Sequence, residues 1–100
     1  MNLTLDKALQ KGIEAQLSGN IREADKFYTA ILQAQPNHPD ANHNMGTLSI
    51  SMGNIEAALP FFRTALEANF GVAQYWYSYI SALVKLNRFS EAESLLIDAR

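Results

Sequence analysis

PDANHNMGTLSISMGNIEAALPFFRTALEANFGV, residues 39–72, holds two amphipathic runs separated by a break. In the first, Met45, Leu48 and Met52 recur at three and four residues, with Ser49 offset beside them, so one helical face is buried. Gly53-Asn54 then breaks the helix, because glycine takes the left-handed cap conformation cheaply and asparagine caps the next start. Leu59, Phe62 and Leu66 carry the second run, and Asn69-Phe70-Gly71 ends it. Pro60 lies within roughly the first turn and a half of this second helix, where little of the preceding hydrogen-bond ladder exists to break, and is tolerated there.

The hairpin recurs on both sides. At a shift of 34 residues Ala24, Ala58 and Ala92 coincide, as do Ile21, Ile55 and Phe89. Gly19-Asn20 falls on Gly53-Asn54 and then on Asn87-Arg88, and Gly12 falls on Gly46. Tyr28, Phe62 and Leu96 align; so do Phe27, Phe61 and Leu95. Identities at turns and apolar positions together define an internal repeat, so helix pairs stack in series. The units run approximately over residues 5–38, 39–72 and 73–100. Pro36-Asn37-His38-Pro39 stops the first unit, since a residue before proline is pushed out of the helical region. Asn20 with Glu23, and Ser90 with Glu93, have the spacing of capping boxes.

Composition excludes several functions. The chain is 48% hydrophobic and 18% charged, a normal globular balance. A net charge of −2 gives no footprint for nucleic acid or an anionic membrane, which call for clustered Lys and Arg. No stretch has the length of apolar sequence a membrane span needs. With no cysteine there is no disulfide framework or thiolate site. A cytoplasmic protein without cofactor is the expectation. No Ser–His–Asp set, phosphate loop or paired catalytic carboxylate stands out, so no catalytic residue is assigned. His38, Asp40 and His43 lack the spacing and the third strong ligand that a metal site requires.

The spacing resembles the tetratricopeptide repeat, W-x₂-L-G-x₂-Y followed by A-x₃-F and P. The middle unit has Asn42 at the tryptophan place, Met45-Gly46, Ser49, then Ala58 with Phe62. The first has Ala8, Lys11-Gly12, Ala15, Ala24, Tyr28 and Pro36; the third has Trp76, Tyr79-Ile80, Leu83, Ala92 and Leu96. The resemblance implies an all-α superhelix of three antiparallel pairs, with the small residues Gly12, Ala24, Gly46 and Ala58 at the closest helix crossings. Ile80 opposite Ala92 breaks that rule, so the third pair is expected to be splayed or Ile80 to fill a gap elsewhere. Phe70 replaces the closing proline of the middle unit.

The same resemblance implies a protein-interaction module that receives a peptide or helix on the concave face of the first helices. Carried over by position, that face offers Gln10 in the first unit; His43, Asn44 and Thr47 in the second; Tyr77, Ser78 and Ser81 in the third. Gln10, Asn44 and Ser78 form one row, able to donate and accept to a peptide backbone. A clamp for a C-terminal carboxylate is not expected, because Gln74 and Ser78 stand where it requires basic residues. In the aromatic run Tyr75-Trp76-Tyr77-Ser78-Tyr79, the spacing assigns Trp76 and Tyr79 to the core and leaves Tyr77, with Tyr75 less firmly, to the surface.

Two alternatives accompany this reading. The repeats are similar to those preceding glycosyl-, sulfo- or methyltransferase domains in bacterial proteins, where they recruit substrate. An RNA-binding pentatricopeptide array is disfavoured by the acidic balance and the clean period. The last pair also carries Leu86, Leu95, Leu96 and Ala99, expected to form an apolar patch through which two copies associate.

Overall fold

First helices begin at Leu5, Pro39 and Ala73 and second helices at Ile21, Ile55 and Phe89, so both series advance by the sequence period. The computed structural model describes residues 4–99, and Arg100, expected to end the third unit, lies outside them. The elements are α1 (Leu5–Leu17), α2 (Ile21–Ala34), α3 (Pro39–Ser51), α4 (Ile55–Ala68), α5 (Ala73–Lys85) and α6 (Phe89–Asp98). Among the described residues there is no strand.

Local chemistry sets the ends. Thr4, Asn20, His38 and Asn54 each accept a backbone N–H with the side chain, satisfying one of the free donors of a first turn. Asn20 accepts from Glu23 as its spacing suggests. Ser90 instead lies inside α6, whose N-cap is Arg88 and has no side-chain cap bond. Gly19 and Gly53 both turn at φ 81°, and Asn87 takes the equivalent place at φ 60°. Asparagine is among the few residues with a side chain that visit this left-handed region readily. Pro60 sits within α4, and Thr64 donates to its carbonyl.

Packing is within each helix pair and between adjacent pairs, and the molecule is elongated, 46 × 26 × 18 Å. One cluster joins Ala58, Phe62 and Leu66 of α4 to Tyr75, Tyr79 and Leu83 of α5 and Ala92 of α6. A second joins Ala15 of α1 and Tyr28 of α2 to Met45 and Leu48 of α3. The glycines of the first helices lie under aromatic rings: a Cβ on Gly12 would stand 2.5 Å from Cε1 of Tyr28, and one on Gly46 would overlap Phe62. The crossing is therefore glycine against ring, with the wholly buried Ala24 and Ala58 one turn earlier. In the third pair both partners change. Ile80 packs on the core, and the residue in the ring's place is Leu96, 52% exposed.

Candidate functional site

Side-chain bonds between units hold α1, α3 and α5 side by side. Tyr28 Oη donates to Gln16 Oε1 at 2.7 Å, Gln16 Nε2 donates to Thr47 Oγ1 at 2.9 Å, and Thr47 donates to the Asn44 carbonyl at 2.9 Å. That chain ties the first unit to the second. Burial pushes the Tyr28 pKa up to about 12, so the phenol stays protonated and keeps its donor role. Between the second and third units Tyr75 Oη donates to Asp40, and His43 Nε2 pairs with Ser78 Oγ at 2.7 Å. Both pairs are separated by 35 residues, one repeat plus one.

His43 is thus drawn into the joint instead of facing a groove. Its ring is buried, 5.5 Å from the Phe62 ring centre and 5.1 Å from that of Tyr75. Burial lowers its pKa below the usual histidine value, against the opposing pull of Asn44 and the Asp40 carboxylate. Tyr75, left to the surface by its spacing, is buried as well, and burial followed by the Asp40 bond and charge raises its pKa. The cause is lateral packing. Position along one helix gives the side facing its own partner, while these residues meet the helix of the next unit.

The other candidates remain accessible. Gln10 is exposed and its amide reaches Glu14 at 3.4 Å. Asn44, Thr47, Ser78 and Ser81 are half-buried, and Tyr77 is 68% exposed. Ser78 also receives a weak donation from Gln74 Nε2 at 3.5 Å. Tyr77 and Ser81 lie where this face meets the outer side of the last pair. His38 is occupied as the cap of α3, its Nδ1 accepting from Ala41 N at 3.1 Å. Among the described residues no group of three metal-binding side chains comes together.

A second hollow, of about 540 Å³, opens between α4, α5 and α6. Trp76 and Phe70 form one wall, with ring centres 6.3 Å apart, and Leu66, Leu95 and Arg63 form the others. The Trp76 indole lies partly exposed here, its N–H bonded to the Phe70 carbonyl. Trp76 packs on the core cluster as its spacing implies, and its outer edge opens onto this hollow, which the spacing does not reveal. The hollow's signal is in the alignment, where Leu95 follows Phe61 and Phe70 follows Pro36, leaving less apolar bulk inside and more at the rim.

Of the four residues expected to form an apolar patch, Leu86 and Leu95 pack against their own core cluster, while Leu96 and Ala99 are exposed. The patch is therefore made differently: Tyr77, Ile80 and Val84 of α5 join Leu96 and Ala99 around a shallow cleft.

Three helix pairs in regular register, tied laterally through their first helices, define a right-sized unit of a helical-repeat solenoid. The profile of the tetratricopeptide repeat matches residues 15–79, and the chain belongs to that family. Its repeats are a non-catalytic module that generally mediates protein–protein interaction. No curated protein matches the chain. Among solved structures it is similar to a mutant O-GlcNAc transferase of Thermobaculum terrenum, at 26% identity and a TM-score of 0.85. That match covers 99% of this chain and 20% of the transferase chain, so this chain spans about a fifth of its length. No helix among the described residues is long and apolar enough to cross a membrane.

Proposed function

We propose that the chain binds a segment of another protein across α1, α3 and α5, as a cytoplasmic interaction module. The observation that carries this is the row Gln10, Asn44 and Ser78, one amide or hydroxyl per unit, on helices held in register by side-chain bonds. Repeated donors and acceptors suit the repeated N–H and C=O groups of an extended peptide. Thr47 and Ser81 flank the row, and Tyr77 supplies an anchor with large area and few rotatable bonds. His43 serves the row from beneath, holding Ser78 and the α3–α5 joint. A photo-crosslinking residue placed at Asn44 is the test, with Lys26, exposed on α2, as control. Capture of the same partner from position 44 and not from 26 is the expected result; equal capture from both positions overturns the reading.

The similarity to the transferase favours a second reading, that these repeats recruit substrate for a larger bacterial transferase. The reading frame beyond the codon of Arg100 tests it: continuation into a transferase domain supports it, and a stop codon removes it.

A further inference from the structure

The joint between α4, α5 and α6 repeats the joint between α2, α3 and α4 one period earlier, and the two are built differently. At the earlier joint Phe61 and Leu32 pack against the cluster that holds Met45. At the later one Leu95, Leu66 and Tyr79 take those places, and the hollow of about 540 Å³ opens among them. It lies between two described pairs, with α4 on one bank and α6 on the other. Trp76 is the single lining residue it shares with the cleft of Val84, Leu96 and Ala99.

The lining changes in kind across the period. Pro36 and Asn42 become Phe70 and Trp76, so two aromatic rings replace a proline and an amide. Thr29, Gln33 and Thr64, all neutral, become Arg63, Glu67 and Asp98. The earlier joint closes without these rings or charges, so the fold does not require them. Phe70 is 64% exposed, an apolar ring left in water beside the indole. Glu67 stands in the last turn of α4, where the helix dipole disfavours a carboxylate, and no basic residue accompanies it in that turn.

Charge selects the occupant. Arg63, the cation among the lining residues, is turned toward α5, where its Nε donates to Tyr79 Oη at 3.1 Å. That bond raises the Arg63 pKa, and the charges of Glu67 and Glu91 raise it further. Glu67 and Asp98 bring two carboxylates to the lining against this one engaged guanidinium, so the balance is negative. An anion would meet both carboxylates, whereas a cation would meet them and the aromatic wall.

We propose that this hollow receives a basic side chain, lysine or arginine, of a partner protein. The aliphatic stem lies against Leu66 and Leu95, as long basic side chains lie on apolar surface. The cation rests on the Trp76 ring, the aromatic side chain that attracts cations best, beside the Glu67 and Asp98 carboxylates. The contact uses none of Gln10, Asn44 and Ser78 and is additional to the peptide face.

Trp76 is the chain's single tryptophan, so its emission reports occupancy of the hollow directly. The probes are N-acetyl-lysine amide, the norleucine amide that lacks its ammonium group, and the glutamate amide. The lysine probe should shift the emission at a concentration about fivefold lower than the norleucine probe, with the preference shrinking at high salt. Glu67→Gln combined with Asp98→Asn, both at exposed positions, should abolish the preference. The unfolding midpoint should hold or rise, because a carboxylate leaves the end of α4. Equal response to lysine and norleucine would leave an apolar crevice and overturn the proposal. Preference for the glutamate probe would give the site to Arg63 and overturn it too, as would no response to lysine or a lysine preference kept in the double variant. The comparison of probes on the parent chain stays decisive if the double variant fails to fold. Gln10, Asn44 and Ser78 are untouched in that variant, so the peptide face and the hollow fail separately.

Discussion

Asn42 and Trp76, one repeat apart, tie down the same point of their loops. Asn42 Nδ2 donates to the Pro36 carbonyl at 3.0 Å, and Trp76 Nε1 donates to the Phe70 carbonyl at 2.8 Å. Pro36 and Phe70 are also one repeat apart, so an amide and an indole perform one task at one position. The amide does more, because it also donates to the His38 carbonyl at 2.8 Å from a buried site.

Asn42→Leu should accordingly cost about 1–3 kcal/mol, since its carbonyl partners lose a buried donor. Trp76→Phe removes one bond at a more open place and should cost about 0.5–1.5 kcal/mol. Urea denaturation midpoints measure both. An equal loss would mean that aromatic area, and not the hydrogen bond, makes the tether.

Gly46 and Phe62 give the second prediction. A methyl at Gly46 would lie 2.7 Å from Cδ1 of Phe62, whose ring is wholly buried and has nowhere to go. Gly46→Ala should destabilise by about 1–3 kcal/mol through overpacking. Ala58→Leu, at a position equally closed on the same crossing, should cost a similar amount of about 1–3 kcal/mol. The Gly46→Ala penalty should shrink in a Phe62→Leu background, because the third unit already pairs the larger Ile80 with the smaller Leu96. A double-mutant cycle should show coupling of about 1 kcal/mol or more; additivity would place the strain elsewhere.

The pH dependence follows from His43. Its pKa in the folded chain is lowered, chiefly by burial, so the unfolded chain takes up a proton first as pH falls. Stability contributed by the neutral ring is therefore present above the ordinary histidine value of about 6.5, and is lost as pH falls through it toward the folded value. Thermal unfolding between neutral and mildly acid pH should show this decline, and His43→Gln should flatten it. The Ser78 contact gives glutamine a route to keep the α3–α5 hydrogen bond. A slope that survives His43→Gln would assign the proton to another group.

The helices were legible in the sequence because period, caps and turn residues agree at each position. Gly19, Gly53 and Asn87 mark one turn three times, and the apolar rows fix which face turns inward. The lateral joints were not legible. Tyr75 and His43 look like surface residues on their own helices, and only the distance between α3 and α5 buries them. A hint lay in the pairs Asp40 with Tyr75 and His43 with Ser78, whose partners fall one residue past the period. The compensated exchange at Ile80 and Leu96 needed both helices in view at once.

Asn44 carries the last prediction. It lies half-buried at the centre of the first-helix face, between Gln10 of the first unit and Ser78 of the third. Its neighbours are already committed: Thr47 accepts from Gln16 and donates to the Asn44 carbonyl, and Ser78 pairs with His43. A bound backbone would find its most central amide at Asn44, whose side chain also bonds the His43 ring and keeps further donor and acceptor capacity. Asn44→Ala should weaken binding of a captured partner peptide by about tenfold, about 1.4 kcal/mol, the worth of one or two hydrogen bonds lost at a dry contact. The substitution puts a good helix former inside α3, so the unfolding midpoint should hold or rise slightly. Tyr77→Ala should weaken binding also, since Tyr77 stands exposed where the first-helix face meets the cleft between α5 and α6. Titration calorimetry with the parent and both variants reads these changes directly. Unchanged affinity in Asn44→Ala would remove the polar row from recognition, and lost helicity would return Asn44 to the packing of α3.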